Sequence, residues 1–228
     1  MSKQSKRFST YSLSLTGMEK ADRGIGPFCE DREKNVWVGT RNGLWFFNSQ
    51  THSFYEYSLK KSNIRYDVRS LLLEGDNLWV GTFSKGVKVV DTRTGAIVKT
   101  YQKTDSPRSL IDNSVFSICR TTTGDIYLGT LFGLLRYNRQ SDDFDRIPEL
   151  NARFVYDIKE DSGGNLWLAT YANGAYCYNV SEKKWKNYLH NENNPKSLPY
   201  DKVVSIFEDS HRQVWLTTQG GGFCLFHP

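Results

Sequence analysis

The sequence lacks any long hydrophobic run. Its apolar stretches last four to six residues, as in Gly43-Leu44-Trp45-Phe46-Phe47, whereas a bilayer-spanning helix needs about 20. No membrane contact is therefore expected of these residues. A secretory leader is missing on the same reading. Met1 to Thr10 carries positive charge, but the apolar stretch that should follow is interrupted by Ser12, Ser14, Thr16 and Gly17. Cysteine is scarce, with four among 228 residues, and no two lie close enough for the paired spacing of a zinc site. His52, His190, His211 and His227 fall in turns or strand ends without HxH or HExxH spacing, so no metal centre is expected. Gly220–Gly222 lacks a following Lys-Ser/Thr and a helix, which makes it a turn rather than a phosphate cradle. No cofactor is expected. Basic residues exceed acidic ones by 30 to 25, but they are scattered, and nucleic-acid binding wants a concentrated stripe. No stretch holds a helical period.

Aromatic residues are plentiful, with 6 Trp, 13 Tyr and 13 Phe, and aromatics mixed with charge at that density mean packed structure rather than disorder. They recur in order. Five segments align: NVWVGTRNGLWFFN, NLWVGTFSKGVKVVD, DIYLGTLFGLLRYN, NLWLATYANGAYCYN and QVWLTTQGGGFCLFH. Their anchor aromatics, Trp37, Trp79, Tyr127, Trp167 and Trp215, are spaced by 42, 48, 40 and 48 residues. Three positions later stands Thr40, Thr82, Thr130, Thr170 or Thr218. Gly43, Gly86, Gly133, Gly174 or Gly222 then opens the next run. Each repeat resolves into four runs of four to six residues, graded from an apolar first to a polar fourth and separated by Gly-, Asn- and Asp-rich turns. Four short antiparallel strands repeated every 40 to 48 residues describe the blade of a β-propeller.

The expected fold is therefore all-β: one domain over residues 1–228, a propeller of five four-stranded blades. The blades cover about 25–58, 66–101, 113–148, 153–189 and 201–227. The last repeat stops after its third run, while Arg7-Phe8-Ser9-Thr10-Tyr11 resembles the fourth run Lys184-Trp185-Lys186-Asn187-Tyr188. Residues 7–15 are thus expected to supply the missing strand and close the ring, which removes open sheet edges. The alternative is an open arc of a larger propeller. Anchor aromatics are expected to fill the gaps between blades. The repeated Thr should satisfy backbone groups at the end of the second strand. Cys29 and Cys119 hold equivalent positions two blades apart, and Cys177 and Cys224 lie one register step apart in adjacent blades. Such positions exceed a disulfide's reach, so free thiols are expected.

These repeats resemble the two-component regulator propeller family, whose repeat reads approximately D-x-x-G-x-[LIV]-W-[LIV]-G-T-x-x-G-L-x-x-[YF]-[ND]. Asp161 to Asn179 follows it, with variants at Val36–Asn48, Leu78–Asp91 and Ile126–Asn138. The loops Ser106-Pro107-Arg108-Ser109-Leu110 and Asn194-Pro195-Lys196-Ser197-Leu198 resemble its "DPxSL" linker. In the last repeat Thr217 replaces a Gly. The resemblance implies the periplasmic sensor region of a hybrid two-component kinase of Bacteroidetes, responding to oligosaccharides from polysaccharide breakdown, with kinase and regulator modules elsewhere in the parent chain. None of those modules is recognisable in these 228 residues, which read as a fragment or a truncated relative and not as an enzyme.

Function should reside where the repeats differ. The loops between second and third strands share one rim, and nothing in the frame requires Arg41, Asn42, Phe83, Lys85, Phe132, Tyr171, Asn173 or Gln219 there. Aromatic faces stack on a pyranose, while amides and cations bind hydroxyls or acid groups. A second reading is an interaction scaffold whose rim or polar fourth strands bind another protein or, as a homodimer, an identical chain. A third is a propeller lyase or glycosidase, for which His190 with Glu192 is the loop pair to check. The turn Asp161-Ser162-Gly163-Gly164-Asn165 resembles the Asp-box of sialidases; Asp161, Asp31 and Asp209 are expected to hold their turns by side-chain hydrogen bonds.

Overall fold

The computed structural model describes residues 25–57 and 66–228, and within them the chain forms five successive antiparallel sheets. The first comprises β1 (Ile25–Glu30), β2 (Val36–Thr40), β3 (Gly43–Asn48) and β4 (Ser53–Glu56). The second comprises β5 (Val68–Glu74), β6 (Asn77–Thr82), β7 (Val87–Asp91) and β8 (Ile97–Tyr101), and the third β9 (Val115–Arg120), β10 (Ile126–Thr130), β11 (Gly133–Asn138) and β12 (Asp143–Arg146). The fourth holds β13 (Val155–Glu160), β14 (Leu166–Thr170), β15 (Ala175–Asn179) and β16 (Lys184–Tyr188). The fifth has three strands: β17 (Val203–Glu208), β18 (Val214–Thr218) and β19 (Gly222–Leu225).

Each sheet is a propeller blade. The first strands pack in sequence, β1 on β5, β5 on β9, β9 on β13 and β13 on β17, so they form the hub. Four hydrophobic cores lie between the blades. Trp37, Leu44, Val68 and Val80 join the first two, and Trp79, Val115, Leu128 and Phe144 the next. Leu134, Val155, Leu168 and Tyr176 follow, then Trp167, Val203, Ile206 and Leu216. Among the described residues no comparable packing joins β17 to β1. Residues 7–15, expected to close the ring, lie outside the described residues.

The recurring residues close one turn in every blade. Each Thr hydroxyl donates to the carbonyl of its Gly partner, at 2.7–3.0 Å for Thr40, Thr82, Thr130, Thr170 and Thr218. The same oxygen accepts a loop N–H at 3.2 Å, from Asn42, Lys85, Phe132, Asn173 or Gly221. One hydroxyl thus ties two backbone groups together as the chain reverses, donating to one and accepting from the other. Gly86 and Gly174 adopt φ of 72° and 68°. A Cβ there would lie 2.0 or 1.9 Å from the carbonyl oxygen of Tyr101 or Tyr188, which no other residue tolerates.

The opposite end is closed by aspartates. Asp161 accepts the backbone N–H of Gly163 and Asn165 and, at 2.8 Å, the indole N–H of Trp167. Asp209 does the same for His211, Gln213 and Trp215, and Asp31 for Glu33 and Asn35. The anchor indoles of the fourth and fifth blades are thereby held in place, whereas Trp37 Nε1 in the first blade has no hydrogen-bond partner among the described residues. All four cysteines are free, and burial pushes the Cys177 thiol up to about 12, so it packs as a small apolar side chain.

Candidate functional site

Every hub strand carries a β-bulge near its start. Val68 pairs with Thr82 but Ser70 with Gly81, which leaves Arg69 as the extra residue. The same shift isolates Phe116, Tyr156 and Val204 in β9, β13 and β17, and falls between Ile25 and Phe28 in β1. A bulge re-aims the residue it inserts. Here the result is convergence: Gly26, Pro27, Arg69, Phe116 and Tyr156 from four blades line one cavity of about 310 Å³, with Arg41 and Asp67.

The rim loops are fastened to this hub. The N–H groups of Phe83, Leu131, Tyr171 and Gln219 reach the carbonyls of Asp67, Ser114, Phe154 and Lys202, just before each hub strand, at 2.8–3.2 Å. Aromatic side chains of loop and hub consequently meet. Phe83 lies edge-on to Phe116 with centroids 6.2 Å apart, and Phe116 is 4.4 Å from Phe154. Phe154 stacks on Tyr156 at 5.0 Å and on Tyr171 at 5.5 Å. Cations flank the path. The Arg69 guanidinium lies 5.5 Å over Phe83, and the Lys202 ammonium 3.8 Å over Tyr171.

Asp67 and Arg69 form a salt bridge of 2.7 Å, yet their remaining buried atoms, Asp67 Oδ1 and Arg69 Nε, have no hydrogen-bond partner. An unsatisfied buried polar atom costs about 1–3 kcal/mol and calls for an explanation. Both residues line the cavity.

Of the residues singled out in the sequence, Arg41, Phe83 and Tyr171 join this assembly. Asn42, Lys85, Phe132 and Asn173 occupy the rim through the backbone bonds to threonine, and Gln219 through its bond to Lys202. Among the described residues none of these five extends the aromatic path. Arg69, Phe116, Phe154 and Tyr156 escaped the sequence reading because the first strand reads there as core, and Lys202 because it stands just before that strand, outside the rim loops. His190 Nδ1 lies 2.7 Å from the Leu198 carbonyl and so clamps the linker before the fifth blade, while Glu192 beside it is exposed. Among the described residues no group of three His, Cys, Asp or Glu side chains could hold a metal ion, and no helix is long and apolar enough to cross a membrane.

Residues 149–172, from the linker into the fourth blade, match the two-component regulator propeller family. The chain is 29% identical over 203 residues to a histidine kinase, P4, of Formosa agariphila; the match covers 82% of this chain and 14% of that protein. Among solved structures it resembles the extracellular domain of a putative hybrid two-component system from B. thetaiotaomicron, with TM-score 0.72 and 22% identity over 88% of this chain and 26% of that one. Virginiamycin B lyase from Staphylococcus aureus shares the fold at TM-score 0.67 and 17% identity, over 94% of this chain and 72% of the lyase. The chain thus spans about a seventh of the curated relative and about a quarter of the first structure. The family match thus falls on the start of the fourth blade, within a propeller whose fold the solved structures share.

Proposed function

We propose that the chain is the ligand-sensing propeller segment of a two-component sensor, and that its ligand is an oligosaccharide bound at the axial cavity and the aromatic path beside it. The observation that carries this reading is the convergence of bulged residues from four blades on one cavity, with the Asp67–Arg69 ion pair in its wall. A pyranose offers an apolar C–H face to Phe116 and Tyr156 and hydroxyls to Asp67, Arg69 and Arg41. The repeat's family and the name of the kinase relative support a sensor role, with kinase and regulator modules in the parent chain and the propeller on the periplasmic side. The chain itself performs no chemistry in this reading. Binding shifts the sensor between two arrangements only by as much as the ligand prefers one of them.

Isothermal calorimetry against a panel of oligosaccharides tests the assignment. At least one glycan class should release heat with the parent chain and with Gln219→Ala, and lose about tenfold or more in affinity with Arg69→Gln or Phe116→Ala. Heat unchanged by either hub substitution would move the site elsewhere. No heat with any glycan would remove the sugar from the proposal.

A further inference from the structure

The variable positions at the axial end of the blades carry an excess of positive charge. Arg41 and Arg69 line the cavity, Lys85 stands on the rim loop that carries Phe83, and the Lys202 ammonium lies 3.8 Å over Tyr171 at the end of the aromatic path. Among the described residues Asp67 is the one carboxylate lining the cavity, and Arg69 engages it at 2.7 Å. Asp112 and Asp201, in the chain leading to β9 and β17, are turned to backbone instead, accepting the N–H groups of Ser114 at 2.8 Å and His190 at 2.6 Å. Among the described residues Arg41, Lys85 and Lys202 form no ion pair.

Lys202 distinguishes a neutral ligand from an acidic one. The residue is half-buried. Covering its ammonium with a neutral ring removes water from a cation and returns no counter-charge, which costs free energy. A carboxylate or sulfate in the same place turns that loss into a charge-assisted hydrogen bond. The stacked rings place a second cation at the other end. Tyr156, Phe154 and Tyr171 follow one another at 5.0 and 5.5 Å. Phe116 lies 4.4 Å from Phe154, with the Arg69 guanidinium 5.9 Å over it. A path with cations at both ends and low-dielectric aromatic walls focuses a positive potential along its length.

Given the sugar reading above, on which this rests, we infer that the oligosaccharide of the axial site is acidic, with carboxylate or sulfate groups on its pyranose rings. One acid group meets Lys202 beside Tyr171, and another meets Arg41 at the cavity. The ligand class thereby narrows from glycans in general to anionic ones.

A glycan array holding neutral, uronate-bearing and sulfated oligosaccharides, probed with the labelled full chain, reads the charge class directly. The bound spots should be acidic, and whether uronate-only or sulfate-only spots hold the chain decides between the two acid groups. By calorimetry, carboxyl reduction or desulfation of the tightest binder should weaken it by more than about tenfold. Lys202→Gln should weaken the acidic form by about tenfold and leave the neutralised form unchanged. Lys184→Gln, which removes the same charge from an exposed position on β16, should change neither. A tightest binder that is neutral yet still loses affinity with Arg69→Gln would overturn the acidic assignment and leave the sugar reading standing. Equal losses with Lys202→Gln and Lys184→Gln would overturn it too, because net charge alone would then be at work. A chain that holds no spot at all would overturn both.

Discussion

In the third blade Phe144 is sealed among Tyr101, Tyr137 and the core behind them. In the fifth blade the corresponding floor of Trp167, Tyr188 and Phe226 opens on a groove. The two blades also differ on the faces they turn toward a following blade. Gly129 of β10 lies against the next hub strand, where an added Cβ would sit 2.8 Å from a methyl of Val155. Its counterpart in β18 is Thr217, with Phe223 opposite it at 71% exposure and Phe207 nearby at 61%. The same repeat is therefore glycine and dry where a neighbour packs closely, and β-branched and open where the described residues provide no neighbour. Blade identity comes from the repeat, but blade stability comes from what lies on either side of it.

That contrast can be broken most forcefully at Phe144. Phe144→Ala should cost about 3–5 kcal/mol in urea-induced unfolding, as for other large buried aromatics. Phe226→Ala, already bordering open space, should cost about half as much or less. Equal costs would mean that the fourth strand does not complete the core. Next in size, Gly129→Thr should destabilise the fold by about 1–3 kcal/mol, because the hub strand has no room to retreat. The converse Thr217→Gly should shift the midpoint little, and a large loss there would show that this face is covered.

The smallest effect concerns the clamp at the outer end of the same junction. Asp142 accepts hydrogen bonds from Tyr101 at 2.6 Å and Tyr137 at 2.5 Å, and from Lys99 at 2.8 Å. Burial pushes its carboxyl up, but the bonds from Lys99 and the two tyrosines outweigh this and hold it at about 2. A carboxylate depressed from its usual value of about 3.9 adds stability that is fully present above pH of about 4 and is lost as pH falls toward 2. Asp142→Asn, which keeps the positive φ of 58° tolerable, should cost about 1 kcal/mol at neutral pH. It should also flatten that acid limb of the stability curve. Lys186, Tyr188 and Phe226 supply no matching carboxylate beside β19; the depressed carboxyl of the fifth blade is instead Asp209, held below its usual range by the Trp215 indole and backbone N–H groups at the opposite hairpin.

The scaffold was legible because its constraints recur. Thr40 and its four counterparts, the glycines that follow them and the anchor aromatics each solve one steric or hydrogen-bonding problem five times, and repetition exposes such residues without any coordinates. The rim loops were legible as the variable part of each blade, and Arg41, Phe83 and Tyr171 were found there. The heart of the site was not. Arg69, Phe116 and Tyr156 lie inside runs whose apolar character reads as buried strand, and alternation assigns each a face that the bulge overrides. A one-residue insertion leaves the period of two intact on both sides and shifts only its phase. Four aligned copies could have revealed it: Arg69, Phe116, Tyr156 and Val204 share one position but no residue type, in a strand where their neighbours Val68, Val115, Val155 and Val203 are identical.

Hydrogen–deuterium exchange of the full chain with and without the glycan that releases heat tests the division between a constant frame and a selective hub. Slowed exchange should be confined to residues 67–69, 83–86, 114–117, 154–157 and 170–174. Protection spread over the outer strands β8, β12 and β16, with these hub and rim segments unchanged, would contradict the account.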